Sequence, residues 1–205
     1  MMNANSVVIL DFETTGLSPD LGDRAIEIGA VKLEDGIVVD QFQALMNPGR
    51  MVSPFIESYT GITNKMLSEA QPCAEVMTSF TGFIQDYNLV AHNASFDKRF
   101  LDNELQYTSL EYHGQFACSL LLSRRLYQSA PNHKLATLID YKGIASNGSY
   151  HRALYDAQMT AELWLKMVAD IKQRAKIEDV PFNLISKLSK IPKAKVHNFL
   201  SHLIE

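Results

Sequence analysis

The chain has 205 residues, of which 46% are hydrophobic and 20% are charged, so it can bury one sizeable core and is not a disordered protein. Residues Met1–Ser6 carry no basic side chain, and the apolar run after them, Val7–Leu10, is too short for a secretory signal or a membrane span. Cys73 and Cys118 are the only cysteines and form no CxxC pair, so the sequence indicates neither a disulfide framework nor a zinc knuckle. We expect a cytoplasmic protein, and the short apolar run predicts no membrane segment.

Three strands are predicted at the start of the chain. Val7–Phe12 is a nearly continuous apolar run, typical of a strand that is buried on both faces. After the turn residues Thr14–Asp20, a second strand is predicted at Ala25–Leu33. Glu34–Gly36 then predicts a hairpin into a third strand, Ile37–Leu45. Because hairpins join neighbouring strands, we expect these first strands to be antiparallel.

Helices dominate after residue 70, with short strands between them. In chain order, the apolar spacing predicts a helix after Pro72, a strand at Leu89–Ala91, a helix at Phe96–Leu105, a strand at Phe116–Cys118, helices at Leu120–Tyr127 and Lys134–Lys142, and a long helix from Ala153 to Ile171. Strands followed by helices that alternate with short strands predict an α/β domain, with a mixed sheet flanked by helices.

The last 34 residues differ from the rest in charge. Residues 1–171 hold 12 Lys and Arg against 20 Asp and Glu, a net of −8, whereas residues 172–205 hold 7 against 3, a net of +4. We therefore predict a domain at 1–171 and a basic C-terminal extension at 172–205, which Pro181 and Pro192 divide into two short helices. Such helices need something to pack against. The extension either completes the surface of the domain or is a basic arm for a substrate strand or a partner protein.

Four carboxylates stand where strands end and helices begin. Asp11 and Glu13 are two residues apart on a strand and so face the same way. Asp97 follows a short strand, and Asp156 belongs to the long helix, where its simplest surface role is an ion pair with Arg152. Each acid alone fits a solvated surface. Together they predict a site for two Mg²⁺ or Mn²⁺ ions, because oxygen ligands without cysteine favour these metals over zinc.

His151 precedes Asp156 by five residues. In a continuous helix this spacing would turn the two side chains apart by roughly 140°. Both can reach one site if His151 comes from the loop after Asn147–Ser149 and Asp156 comes from the helix. A neutral histidine beside the acids can accept a proton from an attacking water, since the ordinary pKa of histidine is about 6.5.

Three motifs in order carry a resemblance to a known family. They are Asp11-Phe12-Glu13-Thr14-Thr15-Gly16, Val90-Ala91-His92-Asn93-Ala94-Ser95-Phe96-Asp97 and His151-Arg152-Ala153-Leu154-Tyr155-Asp156. The chain thereby resembles the DEDDh 3′→5′ exonucleases, the group of the proofreading subunit of DNA polymerase III, ribonuclease T and oligoribonuclease. Within it, the second and third motifs and Arg124–Tyr127 are most similar to those of exonuclease X. The resemblance covers roughly residues 7–170 and does not extend to the C-terminal extension.

The resemblance implies a ribonuclease H-like fold with a five-stranded mixed sheet. It implies that Asp11, Glu13 and Asp156 hold the metal that activates water and that Asp11 and Asp97 serve a second metal. His151 would be the general base. The implied substrate-binding residues are Thr14, Thr15, Leu17, His92, Asn93 and Phe96, of which His92 and Asn93 would support the second motif.

The expected function is release of 5′-mononucleotides from a single-stranded DNA 3′ end. An RNA-trimming enzyme of the same family is the first alternative, because no residue identifies a reader of the 2′-OH that distinguishes RNA from DNA. A catalytically silent nucleic-acid-binding module is the second, and the five intact catalytic residues argue against it. A zinc protein is the third; His197 and His202 are five apart, the wrong spacing for one helix face.

Overall fold

The structure, a computed structural model, describes residues 3–147 and 151–203 and centres on one mixed β-sheet. Its strands lie in the order β4-β3-β2-β1-β5-β6. Their bounds are β1 (Val7–Thr14), β2 (Ala25–Glu34), β3 (Ile37–Asn47), β4 (Gln71–Pro72), β5 (Asn88–Ala91) and β6 (Phe116–Cys118). The predicted α/β class, with a mixed sheet flanked by helices, is confirmed.

Helices cover both faces of the sheet. They are α1 (Pro54–Thr60), α2 (Asn64–Glu69), α3 (Cys73–Ile84), α4 (Ala94–Gln106), α5 (Ser119–Leu126), α6 (Leu135–Tyr141), α7 (Ala153–Ala175), α8 (Phe182–Lys190) and α9 (Val196–Ser201). None of the helices within residues 3–147 and 151–203 is long and apolar enough to cross a bilayer.

Strand β1 lies inside the sheet, antiparallel to β2 and parallel to β5. Its side chains enter two cores, because successive residues of a strand point to opposite faces. Val7 and Ile9 pack in one core with residues of α5 and α7, whereas Val8 and Leu10 pack in the other with residues of α3 and α4. Both faces are therefore buried, as the continuous apolar run of this strand predicts.

Three elements differ from the sequence prediction. The sheet has six strands and not five, because the two residues of β4 pair in parallel with the end of β3. A strand this short leaves no periodic signal in a sequence. Helices α1 and α2 were not predicted either, since they span only 7 and 6 residues. Ser53 and Thr63 cap them by accepting the N–H groups of Ile56 and Met66.

The C-terminal extension packs on the domain. Helix α7 continues to Ala175, so the predicted boundary after residue 171 falls inside a helix. Helices α8 and α9 follow the two prolines and bury Phe182, Ile185 and Leu200 in the same core as Trp164 of α7. Whether the extension is a separate functional unit stays a prediction.

Candidate active site

The four predicted acids meet beside the C-terminal end of β1. Asp11 and Glu13 occupy alternate positions of this strand, so their side chains share one face. Asp97 lies in the first turn of α4, and Asp156 in the first turn of α7. The N–H of Phe12 donates to Oδ1 of Asp97 at 3.2 Å, which ties the start of α4 to β1. Three separate elements thus deliver four carboxylates to one place.

The catalytic histidine predicted from the third motif lies among these acids. One ligand atom from each of Glu13, His151 and Asp156 lies within 4.8 Å of the others. His151 precedes α7, as its predicted loop origin requires, while residues 148–150 of that loop lie outside the described residues. Its backbone is left-handed, with φ of 72°, a strained conformation for a residue other than glycine. Its N–H donates to Oδ2 of Asp156 at 2.9 Å, which holds this conformation in place.

Burial and mutual repulsion raise the pKa values of the acids. Desolvation, followed by the charges of Asp97 and Asp156, raises the pKa of Asp11 well above its ordinary value. Burial, followed by the charges of Asp156 and Glu27, raises the pKa of Glu13 to about 8. Burial raises the pKa of Asp97 to about 7. Without added positive charge, the site therefore resists full ionisation at neutral pH.

This donor set fits divalent cations. Carboxylate oxygens are the ligands that Mg²⁺ and Mn²⁺ prefer, and the one nitrogen donor in the cluster belongs to His151. Buried carboxylates are stable when ionised only beside a partner of opposite charge. The residues present therefore match the metal that the sequence predicts, with Asp11, Glu13, Asp97 and Asp156 as the predicted ligands.

An apolar cavity of about 690 Å³ opens beside the acids. Four of the predicted substrate-binding residues line it, namely Thr14, Thr15, Leu17 and Phe96. Helix α1 supplies the opposite wall with Phe55, Ile56 and Tyr59, which the sequence analysis did not identify. Leu17 and Phe55 are 78% and 70% exposed, so large apolar surfaces face open space next to charged groups. This combination suits a flat nucleobase attached to a phosphate.

Tyr59 also contacts the histidine. Its ring lies 4.0 Å from the ring of His151, centroid to centroid, and stacks on Phe55 at 5.8 Å. Desolvation and then the charges of Glu13 and Asp156 raise the pKa of Tyr59. The side chain of His151 is therefore packed on one side by a tyrosine from α1.

His92 and Asn93 of the second motif make hydrogen bonds with neighbouring elements and with the first turn of α4. The ring nitrogens of His92 lie 2.9 Å from Oγ of Ser119 and 2.9 Å from the carbonyl oxygen of His133. Burial lowers the pKa of His92 to about 4, so the ring is neutral at physiological pH. Asn93 starts α4 with a left-handed backbone, φ 75°, and its carbonyl accepts the N–H of Phe96. His92 also borders a second cavity of about 530 Å³ that includes Asp11 and Lys134.

Glu27 on β2 is a site residue that the sequence analysis missed. It is fully buried and lies opposite Glu13 in the strand register. Its carboxylate accepts two hydrogen bonds from Arg152, at 2.8 and 3.2 Å, and one from the N–H of Ala153 at 3.0 Å. Gln43 donates a further bond at 2.9 Å. Arg152 therefore pairs with Glu27 and not with Asp156.

Glu27 and Gly29 together position the first turn of α7 against the sheet, Glu27 by hydrogen bonds and Gly29 by allowing a close backbone approach. They are two residues apart on β2 and share a face. A Cβ atom built on Gly29 would lie 2.0 Å from the backbone nitrogen of Leu154, so only glycine permits this approach. The turn that these residues hold carries Asp156 and follows His151. An acid inside the otherwise apolar run Ala25–Val31 was the signal that could have revealed Glu27.

Glu27→Gln should slow hydrolysis by about 10- to 100-fold with little change in substrate affinity, the usual cost of losing a group that orients a metal ligand. The amide cannot accept all the bonds of a carboxylate, so the start of α7 should shift. Steady-state kinetics on the purified variant measures this. Lys142→Gln is the control, because it removes another ion pair of α7, with Asp170 at 2.9 Å. Equal rates in both variants would show that Glu27 does not position the site.

Comparison with known proteins identifies the family of this fold. A family model described as an exonuclease, RNase_T, matches residues 8–164. The chain is 37% identical over 189 residues to the PolC-type DNA polymerase III of Thermotoga maritima, covering 92% of this chain and 13% of that protein. It is 39% identical over 178 residues to the PolC-type enzyme of Bacillus subtilis, covering 85% and 12%. The chain thus spans only a small part of these relatives.

Solved structures agree with this result. The chain is similar to exonuclease X in complex with 5′ overhanging duplex DNA, at 26% identity and a TM-score of 0.70, covering 89% of this chain and 99% of that one. The nuclease domain of 3′hExo, a DEDDh family member bound to rAMP, has a TM-score of 0.68 at 23% identity, covering 81% and 92%. At that identity it shows the shared fold. The predicted membership of the DEDDh exonuclease family is confirmed.

Proposed function

Because this chain belongs to the exonuclease family, in its DEDDh group, we propose that it is a metal-dependent 3′→5′ exonuclease that releases 5′-mononucleotides from a DNA 3′ end. One observation carries the proposal. Asp11, Glu13, Asp156 and His151 converge at one edge of an apolar cavity that suits a terminal nucleotide, and Asp97 lies beside Asp11 behind that edge. A site for phosphodiester hydrolysis needs both parts, because the charged centre carries out the reaction and the cavity places the substrate.

The acids would hold the ions and the histidine would move the proton. Asp11, Glu13 and Asp156 would bind one ion, and Asp97 with Asp11 would serve a second. Two bound divalent ions stabilise the charge that develops on the attacking and leaving oxygens of a phosphodiester. His151 would accept the proton of the attacking water at a ring nitrogen. The bond from its N–H to Asp156 keeps that ring next to the ligands.

The loop after β1 is built to present its backbone to the terminal nucleotide. The hydroxyl of Thr14 donates to the carbonyl of Gly16 at 2.6 Å. The hydroxyl of Thr15 donates to Asp23 at 3.0 Å and accepts the N–H of Arg24 at 3.1 Å. These contacts tie the loop to itself and to the start of β2. Leu17 and Phe96 would then pack on the terminal bases.

Two similarities favour DNA over RNA as the substrate. The exonuclease X structure contains duplex DNA, and the PolC-type relatives are DNA polymerases. The RNA alternative is favoured by a 3′-exonuclease that recognises the 3′ end of a histone mRNA stem-loop, but at 22% identity this likeness concerns the fold alone. Free Cys73 and Cys118 agree with the proposed cytoplasmic location. A protein partner at residues 172–205 stays a proposal.

The test uses single strands of DNA and RNA that carry a label at either end. A 3′→5′ exonuclease releases a 3′ label at once as a mononucleotide and shortens a 5′-labelled strand stepwise. Both products should require Mg²⁺ or Mn²⁺ and disappear with a chelator. Asp11→Ala and Asp156→Ala proteins, purified in the same way, exclude a contaminating nuclease. Internal cleavage, or turnover by either variant, would contradict the proposal.

A further inference from the structure

A positively charged cleft, lined by other residues than the two cavities at the acids, lies between α5 and the C-terminal extension. It measures about 490 Å³ and is bordered by Arg125, Arg174, Lys193 and His197. Buried Val196 and Leu200 contribute to its lining. None of the side chains that line it in the described part of the chain is acidic. Such a surface is unusual on a body whose first 171 residues carry a net charge of −8.

The cleft is held in shape by bonds between the domain and the extension. Nε of Arg125 donates to the carbonyl of Ile191 at 3.1 Å, and the side chain of Gln128 donates to the carbonyl of Lys193 at 3.0 Å. These bonds fix the segment around Pro192 against α5. The extension is therefore attached to the domain by hydrogen bonds as well as by apolar contacts, and these bonds fix the position of Lys193 beside α5.

Acidic side chains do not neutralise the cations of the cleft in the described part of the chain. Within residues 3–147 and 151–203, no carboxylate forms an ion pair with Arg125, Arg174 or Lys193. The acid one turn before Arg174 is Asp170, and Lys142 engages it at 2.9 Å. A cluster of unpaired cations repels itself, so an anion in the cleft would stabilise it.

Further cations connect the cleft with the active site. Lys134 borders the cavity that includes Asp11 and His151. Its neighbour His133 also lies at this rim, because its carbonyl oxygen is 2.9 Å from a ring nitrogen of His92, which borders the same cavity. Burial, and with it the charges of Lys193 and Arg124, lowers the pKa of His133. Lys193 of the cleft therefore acts electrostatically on a residue at the rim of the active site.

The length of α7 gives the distance between the active site and the cleft. Asp156 lies in its first turn and Arg174 in its last, so the two are separated by about 27 Å along the helix axis, at 1.5 Å per residue. A strand stacked with the axial rise of about 3.4 Å per nucleotide that it has in a duplex would span this distance with about eight phosphates, and a more extended strand with fewer.

We propose that the cleft of Arg125, Arg174 and Lys193 binds the phosphate backbone of the substrate strand, several nucleotides upstream of the 3′ end. The inference rests on the proposed function, since it takes the strand to enter at the acids. The extension then supplies the positive charge that the acidic body lacks. Hydrolysis proceeds at one end of the path, and the cleft holds the strand between successive cuts.

Binding of fluorescent single strands in a chelator tests the cleft without hydrolysis. The double variant Arg174→Glu with Lys193→Glu should bind a strand of about 20 nucleotides about tenfold more weakly or worse. The slope of log K against log salt should become less steep by about 1.4, because each of the two lost phosphate contacts accounts for about 0.7. A strand of about three nucleotides, too short to reach from the acids to the cleft, should bind the variant and the wild type alike.

Lys166→Glu with Lys187→Glu is the matched control, because it changes the net charge equally at exposed positions that do not border the cleft. Thermal unfolding verifies that each variant is folded, and the milder Arg174→Gln with Lys193→Gln replaces the first pair if it is not. Equal weakening in test and control, or equal weakening of short and long strands, overturns the proposal. Since binding is measured without metal, failure of the nuclease assay overturns only the catalytic function.

Discussion

Glu13→Gln should strongly slow hydrolysis and, in the metal-free protein, make the fold increasingly more stable than the wild type as pH rises toward about 8. The change removes a predicted metal ligand but keeps the shape of the side chain. A bound metal supplies about 4 kcal/mol or more to such a transition state, so turnover should fall on the order of 10³-fold. Single-turnover hydrolysis of a 3′-labelled strand measures the loss.

The gain in stability follows from the raised pKa of Glu13, about 8 against an ordinary 4.5. Below pH 4.5 the carboxyl is protonated in both the folded and the unfolded protein, so ionisation costs nothing. As pH rises from 4.5 to about 8, the unfolded chain ionises while the folded protein resists, and stability falls. Glutamine has no proton to lose, so the variant should gain on the order of a few kcal/mol across this range.

Calorimetry in a chelator, at about pH 5 and about pH 8, measures the melting temperatures of the wild type and of Glu13→Gln. The difference in melting temperature should widen toward the higher pH. Added Mg²⁺ or Mn²⁺ should then stabilise the wild type more than the variant, since a ligand that binds only the folded state raises its stability. Gln43→Ala, which removes a neighbour of Glu27 on β3, serves as a control that leaves Glu13 intact. A pH-independent difference would contradict the assignment of Glu13 to this cluster.

Replacement of His151 should slow hydrolysis by about 10²- to 10⁴-fold while the strand still binds, because general bases contribute rate enhancements of this size. The backbone complicates the choice of variant, since φ of 72° is strained for alanine. Asparagine tolerates a left-handed backbone, so His151→Asn removes the base and keeps the bond from the N–H of residue 151 to Asp156. Rate constants and dissociation constants of His151→Ala and His151→Asn separate the two effects.

Tyr59→Phe is the matched control for the histidine. It keeps the aromatic ring that packs 4.0 Å from His151 and removes only the hydroxyl. If His151 acts as the base, this variant should retain most of the wild-type rate while both His151 variants lose theirs. Loss of strand binding in step with loss of rate would instead assign His151 to substrate positioning. Unchanged turnover in His151→Asn would remove it from the reaction.

The strands and helices that carry the acids were predictable because each of these elements leaves a local pattern, although each acid alone fits a solvated surface. Asp11 and Glu13 share a face since strand geometry alternates, and the apolar run before them predicts a buried strand. Asp97 and Asp156 fall in first turns of helices whose apolar periodicity extends over 13 and 23 residues. Pro181 and Pro192 likewise predicted the division of the extension into two helices, since proline interrupts a helix within the chain; α8 begins directly after Pro181, and α9 begins four residues after Pro192.

Tertiary structure alone decided which distant residues complete the site. Glu27 and Arg152 are 125 positions apart, so no local pattern relates them, and their contact exists only because α7 packs on β2. The apolar wall of α1 and the cleft between α5 and the extension arise in the same way, from elements brought together by burial of their other faces. Periodicity in a sequence records which face of an element is buried. The partner on that face depends on the packing of the whole domain, which periodicity does not encode.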